Sequence, residues 1–236
     1  MTKILHIDTA TPHCSVALSS GTEMLGLRET SEKNAHSRVV TTFADELMKS
    51  AGIEPFQLDA VAVSMGPGSY TGLRIGVSAA KGFCYALNKP LIGVNTLHAM
   101  AAGMRFNTQQ KDALSSGLLF CPMIDARRME VYTALFDGNM DEVRETKAEI
   151  ITENSFAGQL ENHRICFAGD GAAKSKAFLE KYSNALYLDD FVPSAGYMIP
   201  IALERFTGSR FEDVAYFEPF YLKDFIAGMP RVKGLA

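Results

Sequence analysis

The residues able to do chemistry are few and widely spaced. The densest set is a glycine-rich segment, Gly66-Pro67-Gly68-Ser69-Tyr70-Thr71-Gly72, continuing as Leu73-Arg74-Ile75-Gly76-Val77-Ser78-Ala79-Ala80-Lys81-Gly82. Gly66 and Gly68 let the backbone take a positive φ or approach another segment closely. Such a turn delivers N–H groups to a helix N-terminus, which is a generic anion site. It has neither the G-K-[ST] of a P-loop nor the spacing G-x-G-x-x-G. The five histidines, His6, His13, His36, His98 and His163, form no pair at metal-ligand spacing. Cys14, Cys84, Cys121 and Cys166 lie far apart beside apolar runs, which fits buried thiols in a reducing compartment. No Gly-x-Ser-x-Gly elbow and no Cys–His pair supplies a nucleophile. On residue types alone, the glycine segment reads as a tight strand-to-helix turn with packing glycines.

The elements that must position these residues follow from periodicity. Strands are expected at Ile4 to Ala10, Cys14 to Leu18 and about Met24 to Arg28, joined by short turns as an antiparallel meander. A helix is expected from about Ser37 to Ser50, with Val40, Phe43 and Leu47 at helical spacing, Val39 and Ala44 widening the stripe, and Gly52 as its stop. The strand Ala60 to Ser64 enters the glycine turn. A helix over about Leu73 to Leu87 ends at Asn88-Lys89-Pro90. A strand at Leu91 to Val94 and a helix from Thr96 to Met104 complete a β-β-β-α-β-α-β-α unit.

The polar stretch Phe106 to Gly117 reads as a connection between two units. The pattern then restarts. Strands are expected at Leu119 to Ile124 and Val131 to Phe136, with a turn at Asp137-Gly138-Asn139. After these come a strand at Ile165 to Ala168, a helix at Ala172 to Lys181, a strand at Leu186 to Leu188 and a last helix at about Tyr197 to Arg205. Both halves open alike, Ile7-Asp8-Thr9 beside Ile124-Asp125-Ala126. The expected fold is α/β with two lobes, over 1–105 and 106–236, the last helix packing back on the first lobe.

Composition narrows the function. An apolar share of 47% fills a core in a chain of 236 residues. No run of roughly twenty apolar residues offers a membrane span, and no basic-then-apolar leader opens the chain. The expectation is a soluble cytoplasmic protein. The net charge of −4, without a dense Lys/Arg block, argues against nucleic acid being bound by this chain alone.

The segment Gly66 to Gly82 resembles the signature of the TsaB (YeaZ) family, paralogues of the TsaD/Kae enzymes that make threonylcarbamoyladenosine at position 37 of tRNA. Ile7-Asp8-Thr9-Ala10, Asn34-Ala35-His36-Ser37, Asp125-Ala126-Arg127 and Glu218-Pro219-Phe220-Tyr221-Leu222 agree with it in order and spacing. The resemblance implies the two-lobed fold of actin, sugar kinases and Hsp70, each lobe an RNase H-like meander with helices. It places the positions of the catalytic paralogue's metal-binding histidines on Thr96 and Met100, neither suited to that site, with His98 between them. It implies a nucleotide site that is vestigial. Asp8-Thr9-Ala10 and Asp125-Ala126-Arg127 lack the glycine of the fold's phosphate hairpins, although Gly169 and Gly171 keep an adenosine-type turn.

Gly72, Gly76 and Ala80 recur every four residues, so that helix packs closely on this chain's own sheet or on another molecule. The resemblance favours the second and implies a partner interface of His36, Val39, Val40, Phe43, Leu47, Tyr70, Gly72, Leu73, Ile75, Gly76, Ala79, Ala80 and Phe83. The implied protein is a non-catalytic scaffold, without cofactor or metal. Its implied partners are a TsaD-type transferase and a TsaE-type ATPase, with self-association as a homodimer when the transferase is absent and tRNA only within the complex. The rival expectation is an actin-fold ATPase or small-molecule kinase.

Overall fold

A computed structural model describes residues 1–109 and 117–223. Two five-stranded sheets are built by the same rule. The first takes β1 (Lys3–Asp8), β2 (Cys14–Ser20), β3 (Glu23–Thr30), β4 (Ala60–Gly66) and β5 (Leu91–Asn95) in the order β3-β2-β1-β4-β5. The second takes β6 (Leu119–Asp125), β7 (Glu130–Phe136), β8 (Glu142–Ile150), β9 (Ile165–Ala168) and β10 (Ala185–Tyr187) in the order β10-β9-β6-β7-β8. Read from the meander edge, each sheet runs third, second, first, fourth, fifth. In each, the first strand is antiparallel to the second and parallel to the fourth. The expected duplication is therefore present, and with it the matched positions of Asp8 and Asp125 at the ends of the two central strands.

The two faces of β1 explain its nearly continuous apolar run. Leu5 and Ile7 face α1 (His36–Ala51) and α2 (Tyr70–Leu87), where Val40, Ala44, Leu47, Val77 and Ala80 complete one core. Ile4 faces the opposite side, against Ala99, Ala195, Met198 and Ala202. A strand covered on both faces needs no polar alternation. Gly52 stops α1 in the left-handed conformation (φ 64°), as its position suggested, and Asn88 does the same for α2 (φ 52°).

The helices that follow each sheet are exchanged between them. Helix α3 (Thr96–Gln109) lays Leu97, Met100, Ala101 and Met104 against Phe120, Ile124 and Phe136 of the second sheet, while Ala99 reaches the first. The short α4 (Ala157–Asn162) and α5 (Ala172–Leu179) cover the other face of that sheet. The final helix, α6 (Ile199–Thr207), and the 3-10 turn before it return to the first sheet.

Two expectations are corrected here. The polar stretch beginning at Phe106 is helical through Gln109, and its polar side chains serve the helix. Asn107 donates to Gly103 O at 2.8 Å and Tyr197 Oη at 3.1 Å, and Thr108 Oγ1 donates to Met104 O at 3.0 Å. Residues 110–116 of that stretch lie outside the described residues. Strand β8 and helix α4 had no counterpart in the sequence reading. Strand β8 is an edge strand with half its side chains in solvent, so its composition is that of a loop. No helix among the described residues is long and apolar enough to cross a membrane, and all four cysteines are buried and unbridged.

One buried group gives the fold a pH signature. His6 is fully buried, its Nε2 within 2.9 Å of Ser19 Oγ, and burial lowers its pKa to about 3. A histidine depressed in the folded state contributes stability above its unfolded pKa and loses it as pH falls toward the folded one. Between pH 7.5 and 5 this group alone costs about 2 kcal/mol. We predict that between pH 7.5 and 5 the stability of His6→Gln, read by urea unfolding, falls less than that of wild type, by about 2 kcal/mol. Burial raises the Asp8 carboxyl, which acts in the opposite sense and is common to both proteins.

Candidate functional site

The glycine signature forms a cradle for the turn between β1 and β2. A Cβ on Gly68 would lie 2.3 Å from Ala10 O, one on Gly72 2.1 Å from Thr9 O, and one on Gly76 2.2 Å from Thr9 Oγ1. The contact is hydrogen-bonded as well as close. Thr9 Oγ1 donates to Gly72 O at 2.8 Å, Ser69 N donates to Ala10 O at 2.7 Å, and Thr9 N donates to Ser64 Oγ at 3.3 Å. Ser69 also caps α2, accepting from Gly72 N at 3.2 Å.

This corrects part of the expected interface. Val40, Leu47, Leu73 and Ala80 are buried within the chain's own core, and Gly72 and Gly76 are buried where they admit its own hairpin. The remaining seven, His36, Val39, Phe43, Tyr70, Ile75, Ala79 and Phe83, are half-buried along the seam of α1 and α2. His36 donates Nε2–H to Thr11 O at 2.9 Å. Two residues on the outside of α2, Gly82 and Tyr85, are not among the thirteen expected at the interface. A Cβ on Gly82 would meet nothing within 4 Å, and Tyr85 is 87% exposed. Gly82 falls outside the Gly72–Gly76–Ala80 spacing, which was the signal available.

A cleft lies between the sheets, lined by Thr11, Pro12 and His13 on one side and by Gly169, Asp170 and Lys176 on the other. Asp8 is buried behind it, accepting from Ala10 N at 3.1 Å. Asp125 is exposed. Burial works against its ionisation, but Lys174 Nζ at 2.7 Å and Arg127 N at 2.6 Å outweigh this and hold its carboxyl below the ordinary value. Arg127 and Arg128 occupy φ values of 71° and 50°, so the β6–β7 hairpin keeps a glycine-favouring backbone while carrying two large side chains. Gly169 (φ 103°) and Gly171 let the β9–α5 turn ride on β6. Cβ atoms there would lie 2.3 Å from Met123 O and 2.9 Å from Ile124 C. The structure thus brings Asp125, Arg127, Gly169 and Gly171 together and sets Asp8 and Thr9 on the other sheet.

Thr96 and Met100 are buried, and Thr96 Oγ1 has no hydrogen-bond partner. His98 stacks on Phe136 with ring centroids 5.1 Å apart, and burial lowers its pKa. Among the described residues no group of three or more His, Cys, Asp or Glu could hold a metal ion. A polar cluster that the sequence reading missed sits at the cleft mouth. His13 hydrogen-bonds Ser31 Oγ at 2.9 Å and lies 3.5 Å from Glu29, which accepts from Ser194 Oγ at 2.6 Å. Its members come from three separate segments, so no local spacing announces it.

Two sheets of identical topology flanking a cleft, with exchanged helices, define the two-lobed actin-like class. The fold agrees with YeaZ from Pseudomonas aeruginosa at a TM-score of 0.77 and 23% identity, over 94% of this chain and all of that one. It also agrees with the activator of 2-hydroxyisocaproyl-CoA dehydratase from Clostridium difficile at a TM-score of 0.51 and 8% identity, over 89% and 96%. Residues 24–186 match the family model described as TsaD, tRNA N6-adenosine threonylcarbamoyltransferase. The tRNA threonylcarbamoyladenosine biosynthesis protein TsaB of Escherichia coli K12 is 31% identical over 234 residues, covering 95% of this chain and 96% of that protein. The chain belongs to the TsaB family.

The cradle separates two kinds of glycine on one helix. Gly72→Ala should destabilise the fold by about 3 kcal/mol, since backbone must move to admit the methyl. Gly82→Ala should stabilise it by about 1 kcal/mol through helix propensity alone. Urea unfolding of the two variants checks both signs.

Proposed function

We propose that this chain is a non-catalytic subunit in the formation of N6-threonylcarbamoyladenosine at position 37 of tRNA, and that it docks a TsaD-type transferase through the outer seam of α1 and α2. The TsaB relatives, named for this biosynthesis, support the pathway. The observation that carries the docking site is Gly82. A glycine inside a helix costs about 1 kcal/mol relative to alanine. Gly72 and Gly76 are accounted for by Thr9, whereas Gly82 faces open space beside half-buried Ile75, Ala79 and Phe83 and exposed Tyr85. Such a stripe lets a helix of another molecule approach closely, with tyrosine at hand as an anchor.

The non-catalytic part of the reading rests on Thr96 and Met100 at the paralogue's ligand positions and on Arg127 where a phosphate hairpin wants glycine. The net charge of −4 supports tRNA contact only within a complex, in the cytoplasm. A TsaE-type ATPase joins that complex, and the same helix seam pairs two copies of the chain when the transferase is absent. Lobes over 1–105 and 106–236 are part of the same reading.

The test is titration of the same organism's TsaD-type protein against wild type and against Gly82→Trp and Ile75→Arg. Each variant should weaken binding by about tenfold or more while leaving the melting temperature within a few degrees of wild type. Unchanged affinity in both variants would remove the docking site. Threonylcarbamoyl transfer by the isolated chain would remove the non-catalytic assignment.

A further inference from the structure

Resting on the docking surface proposed above, we infer that the hairpin 9–13 couples the α1–α2 seam to the cleft between the sheets, so that transferase docking alters the cleft and a change in the cleft alters docking. The hairpin holds both helices at their first turns. On α2 the joints are Thr9 Oγ1 to Gly72 O at 2.8 Å and Ser69 N to Ala10 O at 2.7 Å. On α1 the joint is His36 Nε2 to Thr11 O at 2.9 Å, made by the first residue of the helix.

The same short segment forms one wall of the cleft. Thr11, Pro12 and His13 face Gly169, Asp170 and Lys176 across it. His13 carries the connection further. It hydrogen-bonds Ser31 at 2.9 Å and lies 3.5 Å from Glu29, and Glu29 accepts from Ser194 at 2.6 Å. Ser194 belongs to the chain returning from the second sheet, where the next residue, Ala195, donates its N–H to Ser15 Oγ at 2.8 Å. A continuous set of contacts therefore runs from the helix seam, through the hairpin, to the segment that bridges the sheets.

The contact at the glycines is close. A Cβ at positions 68, 72 or 76 would fall within 2.1–2.3 Å of the hairpin. A closely packed contact of this kind passes a displacement on instead of absorbing it. Linkage then makes the coupling reciprocal.

The four native cysteines are buried, so spin labels can be confined to Glu23→Cys in β3 and Glu161→Cys in α4. Pulsed dipolar spectroscopy reads the distance between the sheets with and without the TsaD-type transferase. In the otherwise wild-type chain, docking should shift the mean distance. In Thr9→Val, which removes the Gly72 bond at nearly constant volume, and separately in His13→Leu, which cuts the tie to Ser31 and Glu29, the complex should form with the shift diminished or lost. His13→Leu leaves the glycine cradle intact and covers the case in which Thr9→Val does not fold. An unchanged distance in a fully formed wild-type complex, or an undiminished shift in both variants, overturns the coupling alone. A chain that binds no transferase overturns both the coupling and the docking surface beneath it.

Discussion

The approach of Thr9 to the backbone of α2 is the contact on which the rest of the structure depends. Glycine at 72 and 76 is required because Thr9 O and Thr9 Oγ1 occupy the space where side chains would project. That approach fixes the depth and direction of α2 on the first sheet. It sets Leu73, Val77, Ala80 and Cys84 into the core and turns Ile75, Ala79, Gly82 and Tyr85 outward. A helix held by main-chain contacts at its first turn has little freedom to roll. Its outer face is therefore presented on regular helix, a pre-ordered surface of the kind that docks a partner with little ordering cost.

The second organising feature is the exchange of helices between sheets. With α3 beneath the second sheet and α6 with its preceding turn beneath the first, each sheet's inner face is closed by chain that follows the other. The cleft between them is lined by chain from both sheets. Asp8 is sequestered behind Ala10 and Ser64, and Asp125 is held by Lys174. Arginines fill the left-handed positions of the second hairpin. The cleft wall at His13 is tied through Glu29 to the elements around it.

Much of this was legible in the sequence, and the exceptions have physical reasons. The apolar strands β1, β4, β6 and β9 and the stops at Gly52 and Asn88 could be read because burial on both faces and left-handed caps impose residue types. Strand β8 could not, since an exposed edge strand shares its composition with loops. The stripe Gly72–Gly76–Ala80 was visible, but its meaning was not. A periodicity of small residues says that something comes close, and only coordinates say that it is Thr9 of the same chain. Gly82 was the converse case, a glycine without a periodic partner whose significance lies in the empty space around it. The cluster of His13, Glu29, Ser31 and Ser194 joins residues far apart in sequence, so no spacing rule could assemble it.

The proposed meeting place of this TsaB-family chain and a TsaD-type transferase is the outer seam of α1 and α2. Hydrogen exchange on the chain with and without the TsaD-type protein tests it most directly, because it maps protection along the whole sequence at once. Binding should slow exchange most strongly within residues 36–43 and 70–86. Formation of the complex with those segments unchanged, and protection confined to other surfaces, would contradict it.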